Sequence, residues 1–241
     1  MIYRFAHVVQ CMYEKEDVAN LLLDTGTISF NLKRPFQRGS GYMMPVDEQA
    51  GRIVGRPYKE LNSVAETLCS FLYDHHINYD IVAGTIQSLP FATMVSRIEK
   101  KPLIYFVPQS GHRHMNGEPV DRKEVLVVEF VVYSGRSEAI LIEDIRKKRG
   151  IVKHCAALLD YNFPETPKIF SGEIPYDGDR KLSQPCSIDS VLDFKYLVDI
   201  AVSEKGYTAE DAAGLMEWRS DRFNWGEKHG FPKKRIISSR S

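Results

Sequence analysis

The chain has 241 residues, of which 43% are hydrophobic and 27% are charged, and its formal net charge is zero. This is the composition of an ordinary globular protein with ample material for a core. Zero net charge gives no general attraction to nucleic acid or acidic membranes, and the apolar runs are too short to span a bilayer. We therefore expect neither a membrane nor a nucleic acid among its partners.

The N-terminus and the cysteines predict a cytoplasmic protein. The first residues are interrupted by Arg4 and His7 and have no small-residue cleavage pattern, so no signal peptide is expected. Four scattered cysteines, at positions 11, 69, 155 and 186, form no CxxC pair. Reduced thiols are favoured over disulfides or zinc.

The first quarter of the chain predicts two helices around an irregular region. Residues 14–23 have helical spacing, and Gly26 is a suitable stop. Residues 28–52 mix short β-like pieces with prolines and glycines, which indicates a hood or hairpin region, taken as residues 25–60. Residues 58–76 then place an apolar stripe on one helical face: Leu61, Val64, Leu68 and Leu72.

From residue 79 the pattern alternates between strands and helices. Apolar strands are predicted at 79–84, 102–107, 124–132 and 151–161, with helices at 89–100 and 136–150. This spacing predicts an α/β fold with a doubly wound, mainly parallel sheet whose strands are buried on both faces. Residues from 190 onward are predicted to be mostly helical. No clean linker is visible, so we expect a single domain with a helical C-terminal extension at 190–230.

In such sheets, ligands bind beyond the carboxyl ends of the strands. Three loops lie there, at 84–90, 108–117 and 133–137. In the last, Gly135 permits a tight turn, the next helix offers unpaired N–H groups, and Ser134 and Ser137 add hydroxyls, a combination suited to a phosphate. The alternative is an ordinary strand-to-helix turn capped by serine.

Glu129 adds weight to the phosphate interpretation. A carboxylate near the end of an apolar strand is costly unless it is exposed or has a partner. Adjacent ribose hydroxyls would be a natural partner, because a carboxylate accepts hydrogen bonds from both.

Three segments together carry a family resemblance: "VVEFVVYSGRS", "DIVAGTIQSLPFAT" and "PFQRGSGYMMPVD". The first resembles the phosphoribosyl-pyrophosphate motif of type I phosphoribosyltransferases, and the second and third are similar to the pyrophosphate loop and hood of orotate phosphoribosyltransferase. The similarity runs from about residue 25 to residue 161. It implies the type I phosphoribosyltransferase fold, Mg²⁺ as cofactor, phosphoribosyl pyrophosphate or a nucleotide as ligand, and a homodimer.

The resemblance also implies roles for individual residues. A ribose diol would be held by Glu129 and its 5′-phosphate by Ser134, Gly135, Arg136 and Ser137. The remaining positions are a pyrophosphate loop (Thr85, Ile86, Gln87 and Ser88), a catalytic lid (His112, Arg113 and His114) and a base side (Arg38, Ser40 and Tyr161). No residue is implied as a protein-held metal ligand.

Several functional positions depart from the family pattern. Phe130 replaces the second acid of the motif, Tyr133 replaces a small hydroxyl residue, and Gly39 stands where the hood carries a lysine. The lid has Pro108 and Gln109 in place of Arg-Lys. Two hypotheses follow: a transferase with a changed base or low rate, and a non-catalytic relative that binds a nucleotide or a protein partner.

Two other patterns have weaker functional interpretations. The run from His112 to His114 could suggest a metal site, but an exposed loop is favoured because no acidic or cysteine partner is near in sequence. The segment 218–225, "WRSDRFNW", could contact RNA, but helix packing or a dimer contact is favoured at zero net charge.

Overall fold

The computed structural model describes residues 13–109 and 112–233, apart from the side chains of residues 108, 109 and 112. The helices in these ranges are α1 (Lys15–Asp24), α2 (Gly51–Val54), α3 (Tyr58–Asp74), α4 (Leu89–Glu99), α5 (Arg136–Lys147), α6 (Thr166–Phe170), α7 (Phe194–Glu204), α8 (Ala209–Ser220) and α9 (Trp225–Lys228). The strands are β1 (Ile28–Phe30), β2 (Phe36–Gln37), β3 (Met43–Met44), β4 (Val46–Glu48), β5 (Ile81–Gly84), β6 (Leu103–Gln109), β7 (His112–Asn116), β8 (Val125–Val132), β9 (His154–Asp160) and β10 (Ser187–Asp193).

The chain divides into two compact units. Of the described residues, the first comprises 13–18 and those between Val54 and Phe194, and the second comprises Ala19–Ile53 and 195–233. The expectation of a single domain stays a prediction.

The first unit is built on a six-stranded sheet with the order β10-β9-β8-β5-β6-β7. Every neighbouring pair is parallel except β6 and β7, which are antiparallel. The predicted doubly wound, mainly parallel α/β sheet is therefore confirmed. The four predicted strands correspond to β5, β6, β8 and β9.

Helices cover both faces of this sheet, which explains the continuous apolar run of β8. Val127 packs in a core cluster with Ile142 of α5. Phe130 points to the opposite face, since side chains alternate along a strand, and there it contacts Phe91 of α4. A strand buried on both faces needs apolar residues at nearly every position.

Two sequence-based boundaries were wrong. The segment expected to be helical from residue 190 begins inside β10, which pairs in parallel with β9 through Asp193. The segment 108–117, predicted as a loop, is instead the end of β6 and the strand β7, with Val107 opposite His114. In both cases strand pairing determines the structure, and pairing has no local signature in the sequence.

The second unit contains residues 25–53 of the predicted hood region, whereas residues 54–60 belong to the first unit. The strands of the second unit form two short antiparallel pairs, β1 with β4 and β2 with β3. The hydroxyl of Tyr207 donates a hydrogen bond to the carbonyl of Phe30 at 3.0 Å, and the two rings meet edge to face. Helix α8 begins with a capping box in which Thr208 and Asp211 satisfy each other's backbone N–H groups.

Within residues 13–109 and 112–233, no helix has both the length and the apolar character needed to cross a bilayer. Three of the four cysteines lie in these ranges, at positions 69, 155 and 186, and all three are free and buried. Cys11 lies outside the described residues.

Candidate functional site

The candidate site lies at the carboxyl ends of β5 and β8, which are adjacent and parallel. Ala83 of β5 is paired with Val127 of β8, so the same register places Thr85, just after β5, beside Glu129. The sheet therefore brings the predicted pyrophosphate loop and the predicted ribose-binding acid together.

Glu129 is 1% exposed, and both of its carboxylate oxygens accept hydrogen bonds from the loop. Oε1 accepts the backbone N–H of Thr85 at 3.0 Å, while Oε2 accepts the hydroxyls of Thr85 at 2.8 Å and of Ser88 at 2.5 Å. A hydrogen-bonding group left without partners in such a buried setting is costly, so these three bonds stabilise the arrangement. The partner that this buried carboxylate needs is thus supplied by the protein, whereas the sequence pointed to a ribose diol.

The same network fixes the shape of the loop between β5 and α4. Ser88 also accepts the backbone N–H of Phe130 on its hydroxyl oxygen at 2.9 Å, which ties the loop to β8 a second time. Thr85 and Ser88 are buried, whereas Ile86 and Gln87 between them are exposed. Of the four residues predicted to face pyrophosphate, two therefore point into the protein and two point out.

Phe130, which replaces the second acid of the motif, is a core residue. Its side chain is 2% exposed and meets Phe91 edge to face, with ring centroids 5.4 Å apart. The Phe130 side chain has no oxygen or nitrogen that could accept a hydrogen bond from a ribose hydroxyl.

Tyr133 and Tyr161 belong to one aromatic cluster behind the predicted phosphate loop. The Tyr133 ring lies 4.7 Å from the ring of Phe163 and 5.3 Å from that of Tyr161. Tyr161 is fully buried and also stacks on Phe163 and Phe194. The ring of Tyr133 therefore packs against Phe163 and Tyr161. Tyr161, predicted on the base side, has no exposed surface to offer, and its contact with a base stays a prediction.

The predicted phosphate loop retains a turn that leads into a helix. Gly135 is the N-cap of α5 and has a φ of +79°, a left-handed conformation that favours glycine. A Cβ at this position would lie 2.5 Å from Cε2 of Phe170 in α6. Arg136 and Ser137 are exposed in the first turn, and Ser134 is half-buried. Phe170 therefore packs under the loop while the polar residues face outward.

The predicted lid is held as an antiparallel hairpin, and Arg113 is already paired. Its guanidinium donates to Asp144 of α5 at 3.0 Å and lies over the ring of Phe106, 5.8 Å from the centroid. Asp144 is two turns beyond the start of α5, about 12 Å along the helix at 1.5 Å per residue. His114 is exposed, and the side chain of His112 lies outside the described residues.

The other base-side residues lie in the second unit. Arg38 forms an ion pair with Asp47 at 3.8 Å, and Ser40 is exposed in the turn between β2 and β3. Burial raises the pKa of the Glu48 carboxyl, and the positive charge of Arg38 opposes that rise. Arg38 is thus part of a small charged group on the hood.

The donor set near β8 does not fit a magnesium ion held by the protein. Glu129 already accepts three hydrogen bonds, and the side chain of Phe130 carries no oxygen. In the part of the chain that the structure describes, no group of three or more His, Cys, Asp or Glu side chains could hold a metal ion. The role that the family resemblance gives to Mg²⁺ therefore finds no protein ligands at this position.

Two contributors to the site were missed by sequence reasoning. Phe170 packs under Gly135. The signal in the sequence was Pro167, which favours the start of the short helix that carries Phe170. Asp144 binds Arg113 across the first unit, and no local pattern connects the two positions.

Comparison with known proteins gives a consistent family likeness. No family model matches the chain. Orotate phosphoribosyltransferase of Coxiella burnetii is 24% identical over 220 residues, which are 89% of this chain and 99% of that protein. The enzyme of the same name from Bacillus caldolyticus is 24% identical over 217 residues, with similar coverage.

Solved structures agree on the fold. UMP synthase of Leishmania donovani superimposes with a TM-score of 0.68 at 21% identity over 85% of this chain, which spans 42% of that longer protein. Orotate phosphoribosyltransferase of Mycobacterium tuberculosis, solved with phosphoribosyl diphosphate, superimposes with a TM-score of 0.56 at 20% identity over 76% of this chain. The chain has the type I phosphoribosyltransferase fold, and its sequence is similar to orotate phosphoribosyltransferases along most of its length.

Proposed function

We propose that this phosphoribosyltransferase-like protein binds a 5′-phosphorylated ribose, either phosphoribosyl pyrophosphate or a nucleotide, without transferring the phosphoribosyl group efficiently. The observation that carries the proposal is the state of Glu129. Its carboxylate is buried and accepts three hydrogen bonds from Thr85 and Ser88, so it bonds to the protein's own loop where the family resemblance implies a ribose diol.

Binding is supported by what remains at the start of α5. The first turn of a helix presents unpaired N–H groups and the positive end of the helix dipole, which together favour a phosphate. Arg136 is exposed there and forms no ion pair with any described residue. Ser134 and Ser137 add hydroxyl donors. The ligand's phosphate would thus be held by this loop, with the guanidinium of Arg136 supplying positive charge.

The proposed loss of transferase activity is supported because groups that the reaction needs are missing or already bonded within the protein. Phosphoribosyl transfer develops positive charge on the ribose and negative charge on departing pyrophosphate, and both need preorganised partners. Phe130 is in the core, Glu129 is engaged, and Arg113 is paired with Asp144. Each missing contact of this kind costs on the order of 2.7–4 kcal/mol, or a hundredfold or more in rate.

A transferase acting on a different base is the alternative, and the exposed pair Ile86 and Gln87 favours it. Their backbone N–H groups donate to no other described residue, so this part of the loop stays open to an anion such as pyrophosphate. The homodimer that the resemblance implies and the cytoplasmic location predicted from the N-terminus and the cysteines are part of the proposal in either case. The third hypothesis is that the same surface binds a protein partner, and it predicts that no phosphorylated ribose binds.

Calorimetry separates these readings. The protein is titrated with phosphoribosyl pyrophosphate, ribose 5-phosphate and a panel of nucleotides, with and without Mg²⁺, and product formation is then followed with a panel of bases. We expect binding of at least one phosphorylated ribose and no turnover. Turnover of any base supports the transferase, and no binding at millimolar ligand overturns both ligand-based readings.

A further inference from the structure

The bonds between Glu129 and the loop at 85–88 have a consequence beyond loss of the ribose contact. The sheet places Glu129 beside Thr85, and the carboxylate then joins both ends of the loop: Thr85 at its start and Ser88 at its end. Ser88 is in turn bonded to the backbone of β8 through the N–H of Phe130. The loop is therefore closed on itself by a single buried side chain.

This closure determines which groups face outward. The side chains of Thr85 and Ser88 are 5% and 3% exposed, so their hydroxyls are unavailable to a ligand. Ile86 and Gln87 form the exposed tip, and the tip is short because Ser88 already donates its N–H to the carbonyl of Thr85 at 3.1 Å. A loop held in this way needs no bound ion or ligand to acquire its shape.

We infer that Glu129 is a positioning residue that fastens the loop at 85–88, so that a phosphorylated ribose binds this protein without a divalent cation. The Glu129 carboxylate already accepts three hydrogen bonds from Thr85 and Ser88, so it is a poor ligand for a cation beside the ribose. Phe130 beside it offers no replacement. The ligand is then held by N–H groups, hydroxyls and Arg136, whose charge does not depend on a metal.

The second part of this inference rests on the proposed function, because it concerns the bound ligand. The first part concerns the unliganded protein and is tested without any ligand. The two parts are therefore measured separately. If no ligand binds, the role of Glu129 in holding the loop can still be decided.

Hydrogen exchange of single amides tests the fastening. The Thr85 N–H donates directly to Glu129, and the Phe130 N–H donates to Ser88, which Glu129 holds in place. In Glu129→Ala the Thr85 amide loses its acceptor, and the Phe130 amide loses the support that holds its acceptor Ser88. We therefore expect hydrogen exchange at Thr85 and Phe130 to accelerate at least tenfold. Thr85→Ser keeps the hydroxyl donor and should leave both amides near the wild-type rate.

Glu143→Ala is the matched control. Glu143 is also a carboxylate with little exposure, and it accepts the N–H and hydroxyl of Ser183 at 2.9 and 2.8 Å. Its removal should accelerate exchange at Ser183 and leave Thr85 unchanged. Equal acceleration at Thr85 in both variants would show general loosening and overturn the positioning role. Unchanged exchange at Thr85 in Glu129→Ala would overturn it too.

Calorimetry with ribose 5-phosphate tests cation independence. This probe carries the diol and the phosphate but no pyrophosphate, so an effect of Mg²⁺ reports a contact at the diol or the 5′-phosphate rather than at pyrophosphate. We expect the dissociation constants with Mg²⁺ and with a chelator to agree within twofold. A tenfold or greater gain with Mg²⁺ overturns the inference. If ribose 5-phosphate does not bind under either condition, cation independence is overturned. The proposed function is then judged by phosphoribosyl pyrophosphate and the nucleotides, and exchange at Thr85 alone decides the role of Glu129.

Discussion

Glu129 and Thr85 lie side by side at the ends of two parallel strands, and Thr85 donates to both oxygens of the Glu129 carboxylate, at 3.0 and 2.8 Å. This pair turns a position that the family resemblance assigns to ligand binding into part of the internal structure.

Thr85→Val should destabilise the protein because it removes one donor to a buried carboxylate while nearly preserving side-chain volume. A hydrogen bond to a charged group contributes about 1.5–3 kcal/mol, so the free energy of unfolding should fall by that amount. Urea unfolding followed by circular dichroism measures the change. Thr85→Ser keeps the donor and is the control, and equal losses in the two variants would contradict the account.

Phe130→Asp, which restores the acid of the family motif, should damage the fold and give no gain in ligand affinity. Phe130 is 2% exposed against Phe91, so the substitution removes a packed ring, at about 3–5 kcal/mol, and buries a carboxylate without a partner. Phe130→Leu keeps the site apolar and should cost less, about 1.5 kcal/mol. Thermal unfolding ranks the variants. A stable Phe130→Asp protein with higher affinity for phosphoribosyl pyrophosphate would show that the side chain faces the ligand.

Gly135→Ala should weaken both folding and phosphate binding. The left-handed backbone costs any L-residue roughly 1–2 kcal/mol, and the added methyl group would also collide with Phe170. Gly178→Ala is the control, because Gly178 has a φ of +52° but open space around its Cβ position. The difference in unfolding free energy between the two variants isolates the collision. It should shrink when Phe170→Leu is combined with Gly135→Ala, and an unchanged difference would rule out Phe170 as the cause.

Arg136 and Arg113 should respond differently to removal. Arg136 is exposed at the start of α5, so Arg136→Ala should weaken binding of ribose 5-phosphate about tenfold, the equivalent of 1.4 kcal/mol. Arg113→Ala should leave binding within twofold, because its guanidinium is bound to Asp144. It should cost only about 0.2–1 kcal/mol of stability, as is usual for partly exposed ion pairs. Calorimetry measures the affinity of both variants. A larger loss of affinity in Arg113→Ala than in Arg136→Ala would indicate that the phosphate binds at the β6–β7 hairpin and not at α5.

The capping box of α8 should make the second unit sensitive to acid. Hydrogen bonds from the backbone and side chain of Thr208 hold the pKa of the Asp211 carboxyl below its usual value. A depressed folded pKa contributes stability above the unfolded value, near 4, and that stability is lost as the pH falls through the folded pKa. Thermal unfolding between pH 2 and 6 should therefore show a shallower decline for Asp211→Asn than for the wild type. Parallel declines would indicate that other carboxylates dominate.

The sheet could be predicted from the sequence because its strands are buried on both faces. The run from Val125 to Val132 and the turn at Gly135 are local signals, and the structure has a strand and a helix start there. The strand β10 escaped notice because Val191 and Leu192 lead directly into the apolar stripe of α7. Only pairing with β9 distinguishes the strand from the helix that follows.

The site was harder to predict, because its contacts join residues that are distant in sequence. Glu129 was correctly singled out as a carboxylate that needs a partner. Its partners Thr85 and Ser88 come from the preceding strand and loop through the parallel register. The bond between Arg113 and Asp144 likewise crosses from a hairpin to a helix. Sequence reasoning can name such residues but cannot decide whether they face a ligand or one another.

The measurement that tests the central claim most directly is calorimetry with ribose 5-phosphate and phosphoribosyl pyrophosphate, followed by a turnover assay on the same protein. The account predicts binding that depends on Arg136, is unaffected by Mg²⁺ for ribose 5-phosphate, and leads to no nucleotide product. Formation of a nucleotide from phosphoribosyl pyrophosphate and any base would contradict it.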